Sequence, residues 1–102
     1  MKMRNEEDWL MFLDLCLKTK TLPRLQELFN LFLTIEEKEH LASRMQIICA
    51  LLDEKLSQRE ISDTMHVSIS QITRGSNALK IADEDLLKFI KNCAGKYKKN
   101  EQ

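Results

Sequence analysis

The chain has 102 residues, with 16 basic and 16 acidic side chains and a net charge of zero. That length gives one domain whose core is marginal for a monomer, and the charge balance argues against non-specific coating of nucleic acid or membrane, so any nucleic-acid binding has to come from a localised patch and from fit. One proline, two glycines and few aromatics among many Leu, Ile, Met, Glu and Lys predict an all-α protein. No apolar run is long enough to span a bilayer and no signal-peptide pattern is present, which predicts a soluble, cytoplasmic protein with no membrane partner. The three cysteines, Cys16, Cys49 and Cys93, are odd in number and far apart, and no close Cys/His spacing exists. They read as reduced thiols, with no metal site. His40 and His66 read as surface or turn residues.

Residues 1–8 read as a charged, flexible amino-terminal arm. The helical domain is expected over 9–93, followed by a basic tail at 94–102. Trp9, Leu10, Phe12, Leu13, Cys16 and Leu17 form a broad apolar stripe at helical spacing. Thr19 to Pro23 is a connection, and Pro23 suits the first turn of the next helix. Leu25, Leu28, Phe29, Leu31, Phe32 and Leu33 leave that helix apolar nearly all round. This is too much for one short surface helix, and the small size of the chain predicts a dimer with a shared core. Thr34 with Glu37 is a capping box that opens the longest helix. Glu36, Glu37 and Glu39 suit the positive end of its dipole. Leu41, Met45, Ile48, Leu51 and Leu52 are expected to form its inner stripe.

The stretch from Gln58 to Asn77 reads as two short helices with a tight bend between them. Ser57 and Glu60 form a second capping box, and Ile61 and Met65 share an apolar face one turn apart. His66-Val67 breaks the run. Ser68, with Gln71 three residues on, starts the second helix, and Ile69 and Ile72 are expected to turn inward. Around them stand Ser70, Gln71, Thr73, Arg74, Ser76 and Asn77, groups suited to phosphates or base edges. A helix-turn-helix that docks DNA needs this arrangement, one helix as brace and one entering the major groove amino end first. The plainer reading is two short helices of any small helical domain. Two details favour DNA. No carboxylate lies between Ser68 and Ile81, although acids and bases balance over the chain. The exposed face carries hydroxyls, an amide and an arginine rather than a Glu/Lys mixture. Asp83-Glu84-Asp85 then starts a last helix with Leu86, Leu87, Phe89 and Ile90. Lys88, Lys91, Lys96, Lys98 and Lys99 make its end basic, read as a solvated helix end, with a weak phosphate-contacting tail as the alternative.

Several blocks, in order, resemble the tryptophan-responsive trp operon repressor family. They are WLMFLDLC (Trp9 to Cys16), LFLTIEEKEHLASR (Leu31 to Arg44), SQREI (Ser57 to Ile61) and ITRGSNALK (Ile72 to Lys80). The resemblance implies an all-α fold of six-helix subunits with a helix-turn-helix, intertwined as a homodimer. It implies a repressor that binds a pseudo-palindromic operator, with L-tryptophan as co-repressor, controlling tryptophan biosynthesis or salvage genes. It implies no catalysis, metal or other cofactor. Leu31, Leu33, Thr34, Arg44, Arg74, Gly75 and Ala78 are the implied tryptophan site. Arg44 and Arg74 would sandwich the indole between guanidinium planes, a role for which Lys is a poor substitute. The carbonyls of Leu31 and Leu33 would accept from the ammonium at a helix carboxyl end. Thr34 would bond the polar end, and Gly75 would let the ring approach without a Cβ in the way. At the operator, Ile69, Ser70 and Thr73, with Ser68 and Gln71 beside them, would face base edges. Gln58, Arg59, Ser62 and Lys80 would meet phosphates. The ligand would act as a wedge that holds two reading helices about 34–36 Å apart, one helical turn.

Three departures from the family pattern stand out. Ala78 replaces a small serine near the ligand ammonium, which removes a hydrogen bond worth about 0.5–1.5 kcal/mol. His66 and Ser68 replace turn glycines. Ser70 and Gln71 replace smaller or shorter residues on the reading face. Competing readings are a constitutive or other-indole-responsive helix-turn-helix regulator, and a helical protein-interaction module. An enzyme is disfavoured, because no base, nucleophile or metal set converges.

Overall fold

The computed structural model describes residues 3–100, with side chains up to residue 97. All regular structure in it is helical, as the composition predicts. The elements are α1 (Glu6–Lys18), α2 (Leu22–Phe32), α3 (Ile35–Asp53), α4 (Gln58–Met65), α5 (Ile69–Ile81) and α6 (Glu84–Asn100). Among the described residues no helix is long and apolar enough to cross a membrane. The chain divides into two compact units, Met1–Lys38 and Glu39–Gln102.

In the first unit, α1 takes in Glu6, Glu7 and Asp8, which the sequence had suggested were part of the arm. The three carboxylates occupy the first turn, where the positive end of the helix dipole favours them. Thr21 caps α2 by accepting the Arg24 N–H at 3.3 Å, and Pro23 sits in the first turn. Phe12 organises a ring cluster. It stacks on Trp9 at 5.9 Å between centroids and meets Phe29 at 5.8 Å and Phe32 edge-on at 5.1 Å. Even so, neither α1 nor α2 has a buried residue. Leu10 is 58% exposed, Leu17 84%, Leu31 79% and Phe32 52%. The apolar stripes exist, but among the described residues their side chains stay exposed or only partly buried. Thr34 makes both bonds of the expected capping box with Glu37, at 2.9 and 3.1 Å.

In the second unit the core is Ile47 of α3, Ile61 of α4 and Ile72 of α5, packed against Ala50, Leu51, Met65 and Val67. This corrects the stripe expected on α3. Ile47, its deepest residue, was not in that stripe, whereas Leu41 and Met45 are 57% and 48% exposed. The reason is that α3 is apolar on two sides. Arg44, Ile47 and Leu51, three and four residues apart, face α5. Leu41 and Met45 lie on another face. Asp83 starts α6 by accepting Leu87 N–H on its carbonyl at 3.1 Å and Leu86 N–H on its carboxylate at 3.4 Å. Residues 94–100, taken from sequence as part of a tail, continue α6. The side chains of Lys98 and Lys99, and residues 101–102, lie outside the described residues. All three cysteines are free thiols.

Candidate nucleic-acid interface

The brace helix α4 begins at a complete capping box. Ser57 Oγ accepts the Glu60 N–H at 3.1 Å, and Glu60 Oε1 accepts the Ser57 N–H at 3.0 Å. The backbone hydrogen bond from Ser57 holds the Glu60 carboxyl below the ordinary carboxylate value, and Thr34 does the same for Glu37. A lowered folded pKa gives stability that is present above the unfolded pKa and is lost as pH falls through the folded one. Thermal melts followed by circular dichroism are therefore expected to fall as pH drops below the ordinary value of 4.5. The Glu37→Gln/Glu60→Gln variant should lose less on acidification than the wild type. Equal losses would contradict these caps as the source.

The bend between α4 and α5 is closed by hydrogen bonds. His66 caps α4 in the left-handed region, at φ 55 and ψ 43. Val67 N–H reaches back to the Ser62 carbonyl at 3.3 Å, and Ser62 Oγ donates to the Val67 carbonyl at 2.6 Å. Ser68 then starts α5. Its Oγ accepts Gln71 N–H at 3.2 Å, while Gln71 Oε1 accepts from Ser68 N at 3.0 Å and from Ser68 Oγ at 3.3 Å.

On α5, Ile72 and Gly75 face inward and are buried. Ile69 does not turn inward as its spacing suggested. It is 50% exposed at the amino end of the helix. Ser70, Thr73, Arg74 and Asn77 are exposed beside it, as are Gln58, Arg59 and Lys80. Three other residues assigned to DNA, Ser62, Ser68 and Gln71, engage their side chains within the bend. Gln71 keeps its amide N–H groups as donors, because only Oε1 is used. The grip of Ser62 on Val67 was missed from sequence, since a serine in a helix carries no local sign of such a bond.

The residues assigned to an effector fall in both units. Leu31, Leu33 and Thr34 belong to the first, and Arg44, Arg74, Gly75 and Ala78 to the second. Leu33 caps the carboxyl end of α2, its N–H donating to the Phe29 carbonyl at 2.8 Å. Thr34 Oγ1 accepts from Glu37 N–H, which leaves its hydroxyl hydrogen to donate. Arg44 and Gly75 are brought together. A Cβ added at Gly75 would stand 4.0 Å from Arg44 Cδ, 3.7 Å from Leu51 Cδ1 and 2.9 Å from Ile47 Cγ2. The glycine thus has a packing reason as well, because α5 lies against α3 with no room for a methyl group. Overpacking of this kind costs about 1–3 kcal/mol, and alanine recovers about 1 kcal/mol of helix propensity. Gly75→Ala is expected to lose up to about 2 kcal/mol in urea titration, and Gly75→Val more. Unchanged midpoints in both would contradict the close approach.

With this geometry in view, the comparisons with known proteins are specific. A family model described as Trp repressor protein matches residues 7–94. The chain belongs to the Trp repressor family. The Trp repressor match takes in every residue assigned above to DNA or effector. The chain is 53% identical over 93 residues to the Trp operon repressor homolog of Chlamydia caviae, covering 91% of this chain and 92% of that protein. It is 50% identical over 90 residues to the one from Chlamydia trachomatis serovar D, covering 88% and 96%. It is 42% identical over 98 residues to the one from Histophilus somni, covering 96% and 92%.

Proposed function

We propose that the chain is a tryptophan-responsive transcriptional repressor, which binds a pseudo-palindromic operator as a homodimer with L-tryptophan as co-repressor. The observation that carries this reading is α5. It has no carboxylate from its cap at Ser68 to its end at Ile81, and it exposes Ile69, Ser70, Thr73, Arg74 and Asn77 on one short helix braced by α4. In a chain of zero net charge, that local absence of acid lets the helix approach phosphates and base edges without repulsion. Ile69, Ser70 and Thr73 read bases, partly through water, and Gln58, Arg59 and Lys80 meet phosphates. Family membership supports the same reading.

The exposed apolar faces of α1 and α2 support a second copy. Apolar stripes on two helices with no buried residue fit a core completed by another chain. Tryptophan is held between Arg44 and Arg74 beside Gly75, with Thr34 and the carbonyls of Leu31 and Leu33 at its polar end. The ligand favours the arrangement in which both reading helices enter successive major grooves, and it shifts the population only by its difference in affinity for the two arrangements. Ala78 offers no hydroxyl to the ammonium, so an indole acid without the amino group is discriminated against less. The genes controlled are those of tryptophan biosynthesis or salvage, and the protein works in the cytoplasm without metal or catalysis.

The test is titration of the protein into a labelled trp-type operator duplex at fixed salt, with and without L-tryptophan. Tightening of about tenfold or more, a coupling of about 1.4 kcal/mol, is expected. Equal specific binding in both conditions would make the chain a constitutive reader. Binding with no sequence preference and no salt dependence would point to a protein-interaction module.

A further inference from the structure

We propose that Ser62 is a positioning residue, which shapes the DNA-reading bend by gripping Val67 and does not contact a phosphate. The inference rests on the operator-binding role proposed above. Ser62 holds Val67 by both of its backbone groups. Its carbonyl accepts the Val67 N–H at 3.3 Å, and its Oγ donates to the Val67 carbonyl at 2.6 Å in a half-buried setting. Val67 packs against the cluster formed by Ile47, Ile61 and Ile72, so the grip ties the bend to the core of its unit.

The bend needs such a tie. His66 lies in the left-handed region, which disfavours any residue with a Cβ. The only glycines of the chain are Gly75 and Gly95, and neither is in the bend. What glycine would supply through backbone freedom, hydrogen bonds supply here. A serine hydroxyl has one hydrogen to give, and phosphate oxygens only accept. Once given to the Val67 carbonyl, that hydrogen is not available to DNA. Only Val67 and the cap residue Ser68 stand between His66 and α5, so the orientation of Val67 sets the direction of the reading helix. Looseness there swings Ser70 and Thr73 away from the bases. Apparent operator affinity falls in proportion to the fraction of chains with the bend formed. The bond is made within one chain, so the bend is shaped before any effector arrives, and tryptophan acts on the placement of the reading helix rather than on its fold.

The test compares full-length wild type, Ser62→Ala and Ser62→Thr. Each is titrated into a trp-type operator duplex with saturating L-tryptophan at several salt concentrations, and amide exchange at Val67 is measured without DNA. Ser62→Ala is expected to bind about three- to tenfold more weakly, the equivalent of one hydrogen bond, with the salt slope unchanged. Its Val67 amide should exchange faster, and Ser62→Thr should restore both properties. A salt slope lower by about one unit in Ser62→Ala would identify a lost phosphate contact and overturn the proposal. So would wild-type affinity, or unchanged Val67 exchange, in that variant. If wild type itself shows no specific binding, the repressor reading fails separately, and the exchange measurement still decides the grip.

Discussion

Arg74→Ala is expected to leave the chain folded and to abolish the response of operator binding to tryptophan. Arg74 is exposed on α5, directly before Gly75, which is buried against α3. No core contact is lost with its side chain. The loss falls on the proposed ligand instead. A guanidinium over an indole face is worth about 0.5–2 kcal/mol, and a charge-assisted bond to the ligand carboxylate about 1.5–3 kcal/mol. Together they predict a loss of about 2–5 kcal/mol, or about 30- to 5,000-fold in tryptophan affinity. Arg74→Lys separates the two parts, because it keeps the positive charge near DNA but has no plane to stack. Calorimetry should find weak tryptophan binding in both variants, while operator binding without tryptophan suffers less in the lysine form. Wild-type tryptophan affinity in Arg74→Ala would remove this residue from the site.

The second large effect is expected at the uncovered face of α1. The Leu10→Glu/Leu17→Glu variant should be monomeric and much less stable. Within one chain these residues are 58% and 84% exposed, so a monomer would hardly register the change. In a shared core each leucine contributes about 1.5–3 kcal/mol, and losing both approaches the total stability of a small domain, about 5–15 kcal/mol. Sedimentation equilibrium and thermal melting read the result. A variant that keeps its association state and its melting temperature would show that another part of the surface joins the copies.

The sequence spoke most clearly where structure is local. The boxes at Thr34–Glu37, Ser57–Glu60 and Ser68–Gln71 depend on a side chain meeting a backbone group three residues away, and each forms as spaced. Burial was harder to read, because periodicity counts apolar residues without saying which neighbour each face meets. Ile47 lies on the side of α3 that receives α5, and a helix apolar on two sides gave no reason to choose it. Ile69 fits an inward spacing but stands at the exposed start of α5. The basic stretch read as a solvated helix end does continue α6, which runs through Gly95 to Asn100, since a lone glycine with open space around it does not stop a helix. The polar residues of the reading face were legible by type, but not by which hydrogen each spends. Ser62 and Ser68 use theirs inside the bend, while Ser70 and Thr73 stand exposed on the reading face. The residues assigned to an effector run from Leu31 to Ala78 over two units, and that assignment came from the family blocks, not from spacing.

If tryptophan holds the reading helices where the operator needs them, the coupling has to run in both directions. The direct measurement is calorimetric titration of L-tryptophan into the free protein and into its complex with a trp-type operator, at one salt concentration. Tryptophan is expected to bind more tightly in the complex, by the same factor with which it tightens operator binding, about tenfold or more. Equal tryptophan affinity in the free and operator-bound protein would contradict it.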